Sequence, residues 1–210
     1  MNLPLDVAAL ASSPALLPLA TFIFVSSITP GPNNVMLTAS GAIFGYQRSI
    51  PHMLGITLGC ALMLLMVGAG LGAVFEQMPQ LYTVLQYVGA AYLVWLAWKI
   101  ATSGRAQSSA AKPQPLSVWQ AAAFQWVNPK AWLMSVGVVA AYTSPHAYWS
   151  SLSLGAVVML VVNYPCISVW TLFGSGIGRW LQSARALQIF NGVMAFLLLL
   201  SLYPLLAGMH

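Results

Sequence analysis

Two long apolar segments of this chain are each interrupted near the middle by residues that membrane helices normally exclude. Segment 16–44 contains the run Thr29, Pro30, Gly31, Pro32, Asn33 and Asn34, and segment 118–142 contains Asn128, Pro129 and Lys130. A proline inside a helix costs about 3 kcal/mol, and a lysine at the bilayer centre costs ~3 kcal/mol on insertion scales. Such breaks persist in hydrocarbon only where the freed backbone lines a protein cavity. The paired breaks therefore predict a transport site near the membrane midplane.

The composition predicts an all-α integral membrane protein. Hydrophobic residues make up 60% of the chain and charged residues 4%, whereas soluble domains average about 25% charged residues. At roughly 20 residues per span, 210 residues accommodate six transmembrane helices with short loops. We place the spans at 16–44, 51–75, 81–101, 118–142, 149–177 and 187–207, with the first and fourth broken near the midplane.

The basic residues indicate how the spans are oriented. Apart from Lys130, they fall in the odd-numbered connections or at their edge, with Arg48 at the first, Lys99, Arg105 and Lys112 at the third, and Arg179 and Arg185 at the fifth. By the positive-inside rule these connections are cytoplasmic and both termini lie outside. The net charge of +5 is spread over loops, so it does not indicate a nucleic-acid partner. The N-terminal segment lacks a basic region and carries Asp6, so we expect no cleaved signal peptide.

The chain reads as one transporter domain, 1–210, made of two halves. A cytoplasmic linker, 102–117, separates a first repeat at 16–101 from a second at 118–207. The halves match at an offset near 100 residues: Pro30 or Pro32 with Pro129, 68–72 with 174–178, and Gly89 with Gly192. Any one match arises easily by chance in apolar sequence, but three in order favour a repeat. Three spans per half make that repeat inverted. The glycines, including Gly55 and Gly59, also suit close helix packing and permit a homodimer.

Each break is typical of one half-helix ending and another beginning. Asn128 is suited to the N-cap position and Pro129 to the first helical position, and either Thr29-Pro30 or Gly31-Pro32 can play these parts in the first half. A restarted helix exposes N–H groups that attract anions. The preceding half-helix ends in carbonyl groups that suit an ammonium group, here those near Ser27, Ile28 and Thr29.

Lys130 lies in the first turn of the second restarted helix, roughly 18 Å from either end of its span at ~1.5 Å per residue. Its ammonium group cannot easily reach water from there. The two carboxylates of the chain, Asp6 and Glu76, belong to predicted outside segments. A substrate carboxylate is therefore the simplest partner for Lys130. The alternative is a structural role, in which Lys130 caps carbonyl groups of the first span.

The other polar residues near the breaks have less specific interpretations. Ligand contact and backbone capping fit Asn33 and Asn34 equally well. Asn163 precedes a proline kink in the fifth span, where a packing role is favoured over a place in the cavity. We expect His52 to lie on the wet cytoplasmic surface. No motif for a cofactor or a metal ion is present, and we predict a transporter rather than an enzyme.

These same residues resemble the signatures of the lysine-exporter (LysE/RhtB) family. The first signature is similar to 29–34 with Gly41, Gly45, Gly55 and Gly59, and the second to 124–131. Within the family, the stretch 89–99 is most similar to exporters of the cysteine and O-acetylserine type. The resemblance covers essentially the whole chain. It implies a carrier of the bacterial inner membrane that exports amino acids in exchange for protons.

One departure from the family narrows the choice of substrate and of the group that couples transport to protons. Some members carry an acidic residue where this chain has Asn33. Without that negative side chain we expect a neutral amino acid or small derivative, such as cysteine, O-acetylserine, homoserine or threonine. Lys130 is then the proton-coupling candidate. The alternatives are a transmembrane thiol–disulfide relay using Cys60 and Cys166, which lack a Cys-x-x-Cys motif, and a channel or lipid scramblase.

Overall fold

A computed structural model describes residues 16–71, 73, 77–102, 114–181 and 183–201, and every regular element within these ranges is helical. The chain termini with Asp6, the residue Glu76, most of the predicted linker and the end of the sixth predicted span lie outside the described residues. The described residues form eight α-helices, which are α1 Leu16–Ile28, α2 Pro32–Phe44, α3 Tyr46–Met66, α4 Pro79–Thr102, α5 Val118–Phe124, α6 Pro129–Tyr142, α7 Tyr148–Gly178 and α8 Ala184–Leu200.

Each predicted span coincides with one helix or with a broken pair. Segment 16–44 consists of α1 and α2, and segment 118–142 consists of α5 and α6 joined by the 3-10 turn Gln125–Val127. Both interruptions are therefore true breaks between helices, as the proline positions predict. The helix α3 continues into a π-helical turn, Val67–Leu71, in which Gly70 has a φ of 111°.

The outer surface of the bundle is apolar. Two helical stretches, Tyr46–Leu71 and Pro145–Gly178, are long and apolar enough to cross a bilayer, and Leu16–Ile28 and Ala184–Leu200 are shorter apolar helices. Large hydrophobic side chains point outward on several helices, among them Leu17, Leu133, Val161 and Phe196. A surface of this kind is suited to lipid rather than to water.

Glycines allow the helices around the breaks to approach closely. A Cβ atom at Gly174 would collide with the carbonyl oxygen of Thr38, and one at Gly41 with that of Thr171, so α2 and α7 pack backbone to backbone. The helices α3 and α5 meet in the same way, because a Cβ atom at Gly55 would strike the carbonyl oxygen of Val118. The predicted packing role of these glycines is confirmed.

The glycine matches between the two halves do not extend to local structure. Gly70 lies in the π-helical turn with a positive φ, whereas Gly174 and Gly178 lie inside the α-helix α7. Gly89 packs against the carbonyl group of Val127, but nothing lies within 4 Å of a Cβ atom built at Gly192. These glycines therefore serve different contacts in the two halves.

His52 is not on a wet surface, and that prediction is wrong. Its side chain is only 2% exposed, and within the described residues neither ring nitrogen has a hydrogen-bond partner. The helix α2 packs against α3, and His52 lines a cavity whose other walls include Met36 of α2 and Leu96 of α4, so these helices cover it. Those long-range contacts are invisible in the local sequence.

Candidate functional site

The first break begins the helix α2 without a side-chain cap. Gly31 occupies the N-cap position in an extended conformation, with a φ of −179°, and Pro32 follows at the first helical position. Of the two predicted starts the chain therefore uses Gly31-Pro32. The side chain of Asn34 holds the break together, because its Nδ2 donates to the carbonyl oxygens of Ser27 at 2.9 Å and Thr29 at 2.7 Å.

Two backbone donors stay open at this helix start. The first hydrogen bond of the turn runs from the N–H of Val35 to the carbonyl oxygen of Gly31, at 3.0 Å. Among the residues that the structure describes, the backbone N–H groups of Asn33 and Asn34 have no acceptor. They lie at the positive end of the α2 dipole, where an anionic group is stabilised.

The second break is closed by its own cap. Asn128 occupies the N-cap position and Pro129 the first helical position, as predicted. The Oδ1 of Asn128 accepts from the backbone N–H of Lys130 at 3.2 Å, and its carbonyl oxygen accepts from the N–H of Ala131 at 3.0 Å. The N–H groups of this helix start are thus already paired.

Lys130 crosses from the second break to the first. Its Nζ donates to the carbonyl oxygen of Thr29 at 2.7 Å, to the Thr29 Oγ1 at 2.8 Å and to the carbonyl oxygen of Pro30 at 3.2 Å. An ammonium group has three N–H donors, and all three are used. These acceptors include the carbonyl group of Thr29, which we predicted for the ammonium group of a substrate. In this conformation Lys130 therefore caps carbonyl groups of the first predicted span, which is the structural role predicted as the alternative to binding a substrate carboxylate.

A buried amide cluster joins the two breaks beside the lysine. The Gln125 and Asn33 side chains exchange two hydrogen bonds of 2.9 and 3.2 Å. The Gln125 Oε1 also accepts from Asn128 Nδ2 at 3.2 Å and from the Cys60 thiol at 3.5 Å. Asn33, which lines the cavity, thus binds the second break through its side chain, while its backbone N–H has no acceptor among the described residues.

The helix α7 completes the site with two side chains. The Nδ2 of Asn163 donates to Ser27 Oγ at 3.0 Å, and its Oδ1 accepts from Thr57 at 3.0 Å. The indole N–H of Trp170 donates to the carbonyl oxygen of Ile28 at 3.0 Å. Sequence reasoning favoured a packing role for Asn163 and did not single out Gln125 or Trp170. The available signal for Gln125 was a polar side chain inside an apolar run.

The cavity between the breaks is small. Its volume is about 20 Å³, and Gly31, Asn33, Asn34, Asn128 and Lys130 are among its lining residues, together with Ser26, Ser27, Cys60, Ala131, Met134, Asn163 and Ile167. A water molecule needs at least ~10–15 Å³, so the cavity holds about one water. An amino acid does not fit until the helices move apart.

All nine predicted site residues lie at or beside this cavity, and they have three different roles. Five line the cavity, Thr29 and Pro30 hold the ammonium group of Lys130, and Pro32 and Pro129 begin the two helices. The Trp126 and Trp132 rings pack edge to face at 5.9 Å beside the second break.

Broken helices that meet around a lysine, within a bundle whose outer surface is apolar, define a membrane transporter. Residues 24–203 match the family described as LysE type translocator, and the chain belongs to this family. It is therefore a transporter and not an enzyme. Cys60 and Cys166 are both buried and unpaired, and nothing supports the thiol–disulfide relay.

Relatives are similar over most of the chain. A "Cysteine/O-acetylserine efflux protein" of Escherichia coli O139:H28 is 34% identical over 184 residues, which cover 85% of this chain and 91% of that protein. The protein of the same name from Salmonella choleraesuis is 33% identical over 144 residues, or 68% of this chain and 72% of that protein. No solved structure matches the chain.

Proposed function

We propose that this protein exports a neutral amino acid or small derivative across the bacterial inner membrane in exchange for a proton. Cysteine and O-acetylserine are the first candidates, because the relatives are named for them, and homoserine and threonine are similar in size and charge. The observation that carries the proposal is the first break, which presents acceptors for an ammonium group next to unpaired donors for a carboxylate.

The acceptors form a cradle for one cation, made of the Thr29 carbonyl and hydroxyl oxygens and the Pro30 carbonyl oxygen. Lys130 fills it here. The α-ammonium group of an amino acid has the same three donors and the same charge. The two ammonium groups therefore compete for the cradle, and the substrate binds when Lys130 leaves.

The carboxylate of the substrate binds at the start of α2. No described residue accepts from the N–H groups of Asn33 and Asn34 there, and the helix dipole adds to their attraction for an anion. Nζ of Lys130 lies beside this helix start even when it is bound, since a Cβ atom built at Gly31 would be 3.3 Å from it, so the released amine has only a short way to move to reach the carboxylate. Once neutral, that amine donates a further hydrogen bond to the carboxylate.

Competition for the cradle supplies proton coupling. Lys130 loses its proton to the cytoplasm when the substrate binds, and it takes a proton from outside after the substrate leaves. The empty carrier then returns to its inward-facing state with Lys130 protonated. In this form the hydrogen bonds of Nζ join the start of α6 to the residues that follow α1. One charge crossing about 150 mV releases ~3.5 kcal/mol, more than the ~2.7 kcal/mol of a 100-fold substrate gradient.

The membrane arrangement that we propose has six spans in two inverted repeats, 16–101 and 118–207, with the linker 102–117 in the cytoplasm and both termini outside. Two features support it. The helices coincide with the six predicted segments, and the packing is reciprocal, since α1 and α2 contact α7 while α5 and α6 contact α3. The basic residues of the odd connections support the orientation.

Transport in proteoliposomes tests this function. Vesicles loaded with labelled O-acetylserine, cysteine, threonine or lysine are assayed for efflux with and without an imposed proton gradient. We expect saturable efflux of neutral substrates that the gradient accelerates, and little efflux of lysine. Efflux that neither saturates nor responds to the gradient would identify a channel instead.

A further inference from the structure

A second cavity lies beyond the one at Lys130, between α2, α3 and α4. Its volume is about 230 Å³, more than ten times the 20 Å³ of the first. Met36, Ser40, Phe44, His52, Trp95 and Lys99 are among its lining residues. The residues 114–116, which precede α5, close one side of it.

His52 is a buried polar residue in the wall of this cavity, and a ligand reaches its ring nitrogens only when the ring turns, because they have almost no accessible surface in this conformation. It is 98% buried, since only 2% of its side chain is exposed, and both ring nitrogens lack a partner among the described residues. A buried polar group without a hydrogen bond costs about 1–3 kcal/mol. A neutral imidazole has one donor and one acceptor, so a ligand that satisfies it supplies both.

The other polar groups of this cavity include both a hydrogen-bond acceptor and a positive charge. The hydroxyl of Ser49 donates to the carbonyl oxygen of Gly45 at 2.9 Å, so in the 2.9 Å pair of Ser40 and Ser49 the donor is Ser40. The oxygen of Ser40 is then left as an acceptor facing the cavity. The ammonium group of Lys99, at 4.6 Å from the centroid of the Trp95 ring, brings positive charge to the opposite wall.

We infer that this cavity is a second binding site for the transported amino acid, on the cytoplasmic side. The ammonium group of the zwitterion fits Ser40 and the acceptor nitrogen of His52, and the carboxylate fits Lys99 and the donor nitrogen. Met36 and Phe44 provide apolar walls for a small side chain. The inference rests on the proposed function and on its orientation, in which the ends of α2 and α4 face the cytoplasm.

One stripe of α2 connects the two sites. Asn33 lines the first cavity, and Met36, Ser40 and Ile43 line the second, at helical positions that share one face. Asn33 and Ser40 are seven residues apart, or roughly 10 Å at ~1.5 Å per residue. A substrate loaded at His52 then has about two turns of α2 to cover, and the helices must separate to let it pass, because Met36 on this face is buried in the core.

The test combines binding stoichiometry with transport by the full-length protein. Equilibrium dialysis of purified protein against millimolar labelled O-acetylserine is expected to give two bound molecules per chain. His52→Leu is expected to bind one and to raise the KM for substrate supplied at the cytoplasmic face roughly tenfold, with its maximal rate retained. His52→Gln keeps a donor and an acceptor, so it is expected to bind two molecules and to have a KM close to that of wild type.

His146→Leu is the matched control, because His146 is exposed on a turn away from both cavities and is expected to change nothing. Ser40→Ala tests the same cavity should His52→Leu fail to fold, and it too is expected to raise the KM. Normal efflux with one bound molecule, and with KM unchanged in both cavity variants, would overturn the second site alone. A wild-type protein that neither binds nor exports any amino acid would overturn the proposed function together with it.

Discussion

The two helix breaks are alike in sequence but differ in their hydrogen bonds. At the second break Asn128 caps the new helix, and the N–H groups of Lys130 and Ala131 are paired within the break itself. At the first break Gly31 provides no side-chain cap, and the N–H groups of Asn33 and Asn34 have no acceptor in the part of the chain that the structure describes. The second break is thus a capped support that positions Lys130, and the first is the surface that we propose binds the ligand.

Lys130 connects the two breaks. It belongs to the second break, and its Nζ donates to oxygen atoms of the first break at 2.7 to 3.2 Å. The two helix breaks meet at one place, but of these two only the second carries a cation, Lys130. In the proposed cycle this asymmetry lets the protonation of one side chain control a site that both breaks build.

Replacing Lys130 with Met has the largest expected effect. The cradle is then free for the substrate, so exchange of labelled for unlabelled substrate continues, but the proton gradient no longer drives export. Since about 150 mV corresponds to ~3.5 kcal/mol per charge, the steady-state gradient is expected to fall by up to a few hundred-fold. Steady-state accumulation in vesicles measures it. Arg185→Met removes an exposed cation elsewhere and is expected to behave as wild type.

Asn34→Leu tests the open break. It removes the donors to the carbonyl oxygens of Ser27 and Thr29, in a residue that is only 3% exposed. We expect a loss of about 1–3 kcal/mol in the free energy of unfolding, seen as a lower melting temperature in detergent. An unchanged melting temperature would show that α1 holds its end without this bridge.

Asn128→Ala removes the side-chain cap of the second break, so that this break resembles the uncapped first one. Losing the N-cap side chain costs roughly 1 kcal/mol of stability, and Asn128→Ser is expected to recover most of it. Gradient-driven export should be weakened less than in the Lys130 variant, because the cradle is intact. If Asn128→Ala abolished coupling as fully as Lys130→Met, the second break would be more than a support.

Gly31→Ala has the smallest expected effect. The extended backbone accepts alanine without strain, but the new Cβ atom lies 3.0 Å from the Cδ atom of Lys130. The flexible lysine shifts by a few tenths of an ångström, so we expect export to slow a few-fold and stability to change by less than about 0.5 kcal/mol. Gly192→Ala, which meets open space, is the control for export rate.

Much of this structure is predictable from local sequence. The segment bounds follow from apolar length, and the helix starts at Pro32 and Pro129 follow from the backbone chemistry of proline, which needs no tertiary contact. The choice of Gly31-Pro32 over Thr29-Pro30 depends on the side chain of Asn34, which reaches back to Ser27. Sequence reasoning left that choice open.

Long-range packing decided what the sequence could not. The burial of His52 depends on α2 and α4, and the place of Trp170 depends on the close approach of α7 to α2. The direction of the Lys130 side chain was also undetermined, because its charge suits a carboxylate as well as a set of carbonyl oxygens. Neither the periodicity nor the spacing of residues distinguishes these cases.

The most direct test of the competition at the cradle is to measure protons released when substrate binds. Purified protein in weakly buffered detergent solution is titrated with O-acetylserine, and the proton release is followed with a pH indicator dye. Wild type is expected to release about one proton for each molecule bound at the break, and Lys130→Met none. Substrate binding without proton release in wild type, or equal release in Lys130→Met, would contradict the exchange of one ammonium group for the other.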